Sequence, residues 1–337
     1  MTMKVLIDSY NGVMQHDGGG VQMRIGKFLN YYSSDNRVQA KLFNKWEDKL
    51  KEFDILHEFK AHFELFPVLS LAKEQGLKTV LSSVVPQEHA RRIQLALLAN
   101  KVIPFNNTYS LIHSELDIVD AIIAQTNKEA AFISKWYQIP RSKIHVIPNG
   151  VNESILQAYS PNNKKDIVLC VGRFDHNKNQ KALIEAAKGT PYEVHFVGGA
   201  AIDDAAYYEE CKTLARGYSN FKFHGWLKNS SPEFIELYKR ARVVALVSHH
   251  EIFGNSLIEG AACGANLLST DALPTHEWGF GDHCVRVNVT DAHAIHQALR
   301  KAFEMPLDST LHNIAESRFS WKNIANKHID LYQELLT

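Results

Sequence analysis

The sequence predicts an α/β protein built as two parallel-sheet domains. Three observations predict it. Short, wholly apolar segments such as Val5-Leu6-Ile7, Ile167 to Val171 and Val243 to Val247 recur between helical stretches, and strands that are apolar on both faces belong to parallel sheets covered by helices. The alternation stops at a polar stretch, residues 152–166, with Pro161, Asn162, Asn163, Lys164 and Lys165, and restarts beyond it, as an interdomain linker does. The length of 337 residues also exceeds what one core commonly organises.

In the first half, Val5-Leu6-Ile7 is a strand that ends at Asp8. A loop with Gly18-Gly19-Gly20 follows, then a helix from Val21 to Tyr32 with Ile25, Phe28 and Leu29 on one face. Strands are expected over residues 38–43, 53–57, 80–85, 121–124 and 144–147. Residues 63–75 and 88–100 read as helices, and Thr126-Asn127-Lys128-Glu129 has the capping-box spacing that opens another. The 88–100 helix carries Arg91 and Arg92 beside several leucines. It fits an ordinary surface helix better than one lying on a membrane. Beyond the linker, strands are expected at 167–171, 194–197, 221–224, 243–247, 266–269 and 284–287. Helices are expected at 179–188, 203–217, 232–240 and 291–303, and a last one at 321–336 follows a polar segment. The expected division is residues 1–152, joined by a final helix at about 320–337, and residues 153–319.

Bulk properties exclude several classes. Lysine plus arginine and aspartate plus glutamate balance at 37 each, which argues against a nucleic-acid binder. Residues 1–150 hold 18 basic and 15 acidic groups, net +3, a small excess that permits peripheral contact of the N-terminal domain with an anionic membrane surface. Cys170, Cys211, Cys263 and Cys284 are far apart and read as buried thiols in a reducing compartment. The chain opens directly on a strand and has no apolar run near the roughly 20 residues of a spanning helix. It therefore reads as cytoplasmic.

The chemistry concentrates in the second half. The first strand there ends in VGRFDHNKN, which puts Arg173 and Lys178 in a loop ahead of a helix. Two cations at a strand's carboxyl end, beside a helix N-terminus, suit a diphosphate. His224-Gly225-Trp226 ends another strand and offers close backbone approach and an aromatic face. The stretch from His249 to Gly264 runs from an apolar strand into a loop with Glu251, then through Phe253-Gly254-Asn255 into a helix carrying Glu259. The two glutamates, eight residues apart, would reach different parts of one ligand, although Glu185 and Glu193 share that spacing. In the first half, the Gly18-Gly19-Gly20 loop suits phosphate approach and equally suits a plain surface connection. It lacks the GxGxxG of dinucleotide sites.

VGRFDHNKN, FHGW and VSHHEIFGNSLIEGAACG, in that order and spacing, resemble the family 4 glycosyltransferases of the GT-B fold. The triple-glycine loop, DAIIAQT and VIPNGV resemble the N-terminal half of that family. The resemblance implies two Rossmann-like domains facing across a cleft, with the last helix crossing back to the first domain. It implies a retaining transfer of a hexose or N-acetylhexosamine from a nucleotide-sugar, UDP-linked by expectation, to a glycan or lipid-linked glycan of surface polysaccharide or glycoconjugate synthesis. Arg173 and Lys178 would hold the diphosphate, Glu259 the ribose and Glu251 the sugar. Backbone N–H groups of Phe253, Gly254 and Asn255, with Gly19 and Gly20, would meet the sugar and distal phosphate. Gly225 and Trp226 complete the expected donor site. No cofactor and no divalent metal are expected, consistent with the lack of a DxD motif. Where many family members carry a histidine after the fourth strand, this chain reads Leu81-Ser82-Ser83. Two other readings stay open: an epimerase or phosphorylase of the same fold, and a non-catalytic partner that binds sugar nucleotide.

Overall fold

The computed structural model describes residues 2–15, 20–85, 87, 89–103, 107–201 and 204–337. They divide into two compact units, Met1–Asn149 with Trp321–Thr337, and Gly150–Ser320. The last helix belongs to the first unit.

Unit 1 runs β1 (Met3–Ser9), α1 (Gly20–Tyr32), β2 (Val38–Leu42), β3 (Ile55–Phe59), α2 (Phe66–Glu74), β4 (Lys78–Ser82), α3 (Ala90–Val102), α4 (Thr108–Ile118), β5 (Ala121–Ala124), α5 (Asn127–Trp136) and β6 (Ile144–Val146). Unit 2 runs α6 (Glu153–Leu156), β7 (Lys165–Val171), α7 (Gln180–Ala187), β8 (Glu193–Val197), α8 (Ala205–Leu214), β9 (Phe221–Phe223), α9 (Pro232–Arg240), β10 (Ala241–Leu246), α10 (Asn255–Ala262), β11 (Asn266–Thr270), β12 (Cys284–Val287), α11 (Ala292–Glu304) and α12 (Thr310–Phe319). The chain then returns to unit 1 as α13 (Trp321–Leu336).

Each unit holds one parallel six-stranded sheet, ordered β2-β1-β3-β4-β5-β6 and β12-β11-β10-β7-β8-β9. Each sheet reverses its strand order once, between β1 and β3 and between β7 and β10. The loops that leave the carboxyl ends of such a pair diverge to opposite faces and open a crevice, where doubly wound sheets bind ligands. Apolar clusters cover both faces of each sheet.

Three expectations shift. The strand placed at 53–57 is displaced two residues, because Asp54 accepts the Lys4 N–H and the ladder starts at Ile55. Helices α4, α6 and α12 are additional to those expected; α6 lies in the 152–166 stretch read as a linker, which is part of unit 2 because Ile155 and Leu156 are buried in its core. α4 is announced by Asn107, whose side chain caps Tyr109 and Ser110 N–H while the Ser110 hydroxyl reciprocates, a capping box with serine in the third position. Helix α3 differs in which side faces solvent. Ile93 and Leu97 point inward, while Leu95, Leu98 and Val102 point out, so it is not an ordinary polar-faced surface helix.

The four cysteines are free and buried. Ser82 and Ser83 lie wholly inside unit 1. The Ser82 hydroxyl is 2.9 Å from His57 Nε2, His57 Nδ1 is 2.5 Å from the Tyr332 hydroxyl on α13, and Ser83 Oγ donates to Glu129 at 2.9 Å. This polar chain fastens α13 to unit 1. Burial, with Arg24 nearby, holds the His57 pKa well below its ordinary 6.5.

Candidate nucleotide-sugar site

The loops after β7 and β10 frame the switch point of unit 2. Strand β7 ends at Val171, and Gly172 N–H donates to the Val197 carbonyl at 2.9 Å, turning the chain across β8. Asp175 shapes the next turn. Its carboxylate accepts Lys178 N–H at 2.8 Å and the Arg173 Nε–H at 2.8 Å, an aspartate-organised turn. Arg173 is thereby aimed by a buried carboxylate while its side chain remains mostly exposed.

Asn177 joins this loop to the one after β10. Its backbone carbonyl accepts His249 N–H at 2.8 Å, its side-chain oxygen accepts His250 N–H at 2.9 Å, and its side-chain amide donates to the His250 carbonyl at 3.0 Å. Asn179 adds a bond to the Val247 carbonyl at 3.3 Å. With the loops fastened, Lys178 Nζ donates to Glu251 Oε1. Both side chains are largely shielded from solvent. The pair thus has charge of both signs at one place. The ammonium keeps two further N–H groups for another acceptor.

Beyond Glu251, Phe253 turns its ring into the core against Trp278, at a centroid distance of 5.1 Å. Gly254 caps α10 with φ +51° and has no room for a side chain, since a Cβ would come 2.8 Å from Leu273 Cδ1. The N–H groups of the first turn of α10 begin at Asn255. Glu259 stands one turn further, on a helix buried along most of its length, and accepts the Tyr238 hydroxyl of α9 at 2.6 Å. Burial pushes the Glu259 carboxyl up to about 7, and the Tyr238 bond partly counters it. At neutral pH this side chain is poised between a hydrogen-bond donor and a pure acceptor.

The remaining wall comes from β8 and β9. Gly198 donates to the Gly225 carbonyl at 2.8 Å. It takes φ +135°, and a Cβ there would fall 2.0 Å from the Gly172 carbonyl oxygen. The Trp226 indole lies over Gly199, where a Cβ would come 2.4 Å from Nε1, and its outer face is exposed. The expected residues Arg173, Lys178, Gly225, Trp226, Glu251, Phe253, Gly254, Asn255 and Glu259 therefore all belong to loops and helices at the carboxyl ends of β7 to β10. Gly20 opens α1 in unit 1 and is exposed; Gly19 lies outside the described residues. Sequence reading passed over Asp175, Asn177 and Tyr238. The first two sit inside the quoted VGRFDHNKN motif, whereas nothing near Tyr238 in the chain points to Glu259. Among the described residues, no group of three or more histidine, cysteine, aspartate or glutamate side chains is placed to hold a metal.

Residues 151–326 match the model of the family described as glycosyl transferases group 1, more than half of the chain. The chain belongs to the glycosyl transferases group 1 family. Residues 5–155 match the model described as glycosyltransferase family 4. This group 1 chain is 28% identical over 173 residues to the D-inositol 3-phosphate glycosyltransferase of Xylanimonas cellulosilytica, covering 44% of this chain and 40% of that protein. It is 25% identical over 263 residues to the serotype-specific mannosyltransferase WbdA of Escherichia coli, covering 69% of this chain and 31% of WbdA. The match thus spans about two fifths or less of these relatives' own lengths. Among solved structures, Anabaena Alr3699/HepE in complex with UDP and glucose superposes with a TM-score of 0.73 at 16% identity, over 98% of this chain and 100% of that one. The sucrose-phosphate synthase of Thermosynechococcus elongatus gives 0.75 at 17%, over 99% of each. These likenesses establish the two-domain GT-B type of α/β fold.

Proposed function

We propose that this group 1 family member is a retaining glycosyltransferase that moves a hexose or N-acetylhexosamine from a nucleotide-sugar to a glycan or lipid-linked glycan. The observation that carries the reading is the pairing of Lys178 with Glu251 at the switch point of unit 2. One group fits the leaving diphosphate and the other the sugar it leaves. In the transfer, the bond from the anomeric carbon to the phosphate oxygen breaks and a bond to the acceptor oxygen forms on the same face. The acceptor proton passes to the departing phosphate.

Arg173 and Lys178 would stabilise the negative charge that grows on that phosphate. A cation about 4 Å away contributes roughly 4 kcal/mol at an effective dielectric near 20, so two suffice for a substantial part of the barrier without a divalent metal. Glu259 would take the ribose hydroxyls, with Tyr238 holding its other oxygen. Gly225 and Trp226 would frame the base, and the N–H groups of Phe253, Gly254 and Asn255 would meet the sugar and distal phosphate. A UDP-linked donor is proposed, supported by the UDP bound in the fold neighbour from Anabaena. A lipid-linked acceptor would bring unit 1 to a membrane surface.

The test is a donor screen by thermal shift, followed by transfer assays with the stabilising nucleotide-sugar. A ligand at about 100 times its Kd adds roughly 2.7 kcal/mol of stability. Glu251→Gln and Lys178→Ala should each abolish transfer in a folded protein, and chelator should leave the parent rate unchanged. Full transfer by both variants would refute the assignment. Phosphate-dependent cleavage of the donor, in place of acceptor-dependent nucleotide release, would mean a phosphorylase.

A further inference from the structure

Helix α3 is apolar on two opposite sides. At about 100° per residue, Ile93 and Leu97 point into the core of unit 1. Leu95, Leu98 and Val102 fall within an arc of roughly 60° on the opposite side. Those three are 66%, 47% and 81% exposed, and Ile103, just past the helix end, is 67% exposed. A lone leucine at a surface is ordinary, but three apolar side chains standing in water along one side of a helix, with a fourth just past its end, are the mark of an interaction face.

The charges on this helix are of one sign. Arg91, Arg92 and Lys101 are exposed, and α3 holds no aspartate or glutamate. Arg91 and Arg92 lie one turn before Leu95, flanking the line of the apolar row, and neither forms an ion pair with any described residue. Among the described residues, Lys101 reaches Gln138 Oε1 at 3.5 Å. An apolar stripe bordered by cations alone fits a surface with a hydrocarbon interior and an anionic skin. It fits a second copy of this helix poorly, because that would set like charges against each other.

Unit 1 exposes another large apolar group in the loop after β2. That loop carries Trp46, 93% exposed, between Lys45 and Lys49. Lys45 is paired with Asp8 at 3.1 Å; the indole is held by nothing in the core and suits a lipid interface.

We propose that the outward face of α3 docks this protein on an anionic phospholipid surface. Leu95, Leu98 and Val102 enter the boundary between headgroups and acyl chains, while Arg91 and Arg92 meet lipid phosphates. The docking gives physical form to the lipid-linked acceptor proposed above and rests on that reading only for its purpose. It is measured without donor or acceptor, so failure to bind lipid and failure to transfer sugar are separate results.

The experiment is co-sedimentation of the full chain with vesicles of equal parts phosphatidylcholine and phosphatidylglycerol, against phosphatidylcholine alone. The expected result is binding to the anionic vesicles only, lost when salt shortens the Debye length to about 3 Å. Arg91→Gln with Arg92→Gln should weaken binding about thirty-fold, since each basic residue contributes roughly a factor of five. Leu95→Gln, Leu98→Gln and Val102→Gln together should abolish it while the melting temperature stays the same, because these side chains touch water. Absence of binding to anionic vesicles overturns the proposal, as does undiminished binding by the triple variant. A chain that sediments as a dimer and returns to monomer with the triple variant, without lipid binding, would show instead that a second copy covers the face.

Discussion

Glu259→Gln tests whether a binding group is held at the expense of stability. The Glu259 carboxyl is buried and pushed from an ordinary 4.5 to about 7, with only the Tyr238 hydroxyl to offset the burial. The sign follows from proton uptake. Below about pH 4.5 the group is protonated in both folded and unfolded chains and costs nothing. As pH rises towards 7 the unfolded chain sheds its proton more readily than the folded one, so stability falls, and the loss is complete above 7. The rise from 4.5 to about 7 corresponds to roughly 3 kcal/mol, at ~1.4 kcal/mol per tenfold change. Glutamine keeps the volume and still accepts the Tyr238 hydroxyl, but cannot ionise. Urea denaturation followed from about pH 4 to about pH 8 should therefore find parent and variant nearly equally stable at the acid end. At the alkaline end the variant should be more stable by about 3 kcal/mol, or roughly 8 °C in Tm for a unit of this size. On the role proposed for Glu259 at the ribose, the same variant should also lose donor binding, because the amide accepts through one oxygen where the carboxylate offers two. A stability difference that does not change with pH would refute the reasoning, and so would a variant that is less stable in alkali.

Other expectations are equally direct. Tyr238→Phe removes a hydrogen bond to a carboxylate, worth about 1.5–3 kcal/mol, so the pH profile of donor KM should move alkaline by about one unit or more; an unmoved profile would detach Tyr238 from the site. Gly198→Ala places a Cβ against the Gly172 carbonyl at a φ that alanine avoids, and should lower Tm and donor affinity together, read by calorimetry; a neutral result would mean that the β7 and β8 loops are not in register as described. Asn177→Ala cuts two side-chain bonds to His250, each worth about 0.5–1.5 kcal/mol, and should raise donor KM more than it lowers Tm. Burial keeps His57 and His328 neutral, with pKa values well below 6.5, so their contribution is present above pH 6.5 and lost as pH falls further; His328→Leu should flatten the acid limb of the melting curve.

Sequence alone determined the α/β plan of two parallel sheets, each covered by helices on both faces. Apolar runs such as Val243 to Val247 can be strands only in a sheet buried on both faces, and that constraint is local and legible. It also determined which loops carry charge, because Arg173, Lys178, Glu251 and Glu259 each stand next to a strand end or a helix start. What it could not determine is who meets whom. The neighbour relation of β7 and β10, which pairs Val243 with Val168 and Val244 with Leu169, decides that Lys178 faces Glu251, and Asn177 enforces it through bonds to His249 and His250 that no spacing announces. Tyr238 reaches Glu259 only because α9 and α10 pack in one layer. The two serines that replace an expected histidine proved to be core residues, spoken for by His57 and Glu129. The outward face of α3 was equally hidden, since a helix apolar on both sides gives no periodic signal, and only packing decides which leucines the core takes. Local patterns record the free energy of burying a segment, whereas a site is made by contacts between segments, and those exist only once the sheet has chosen its order.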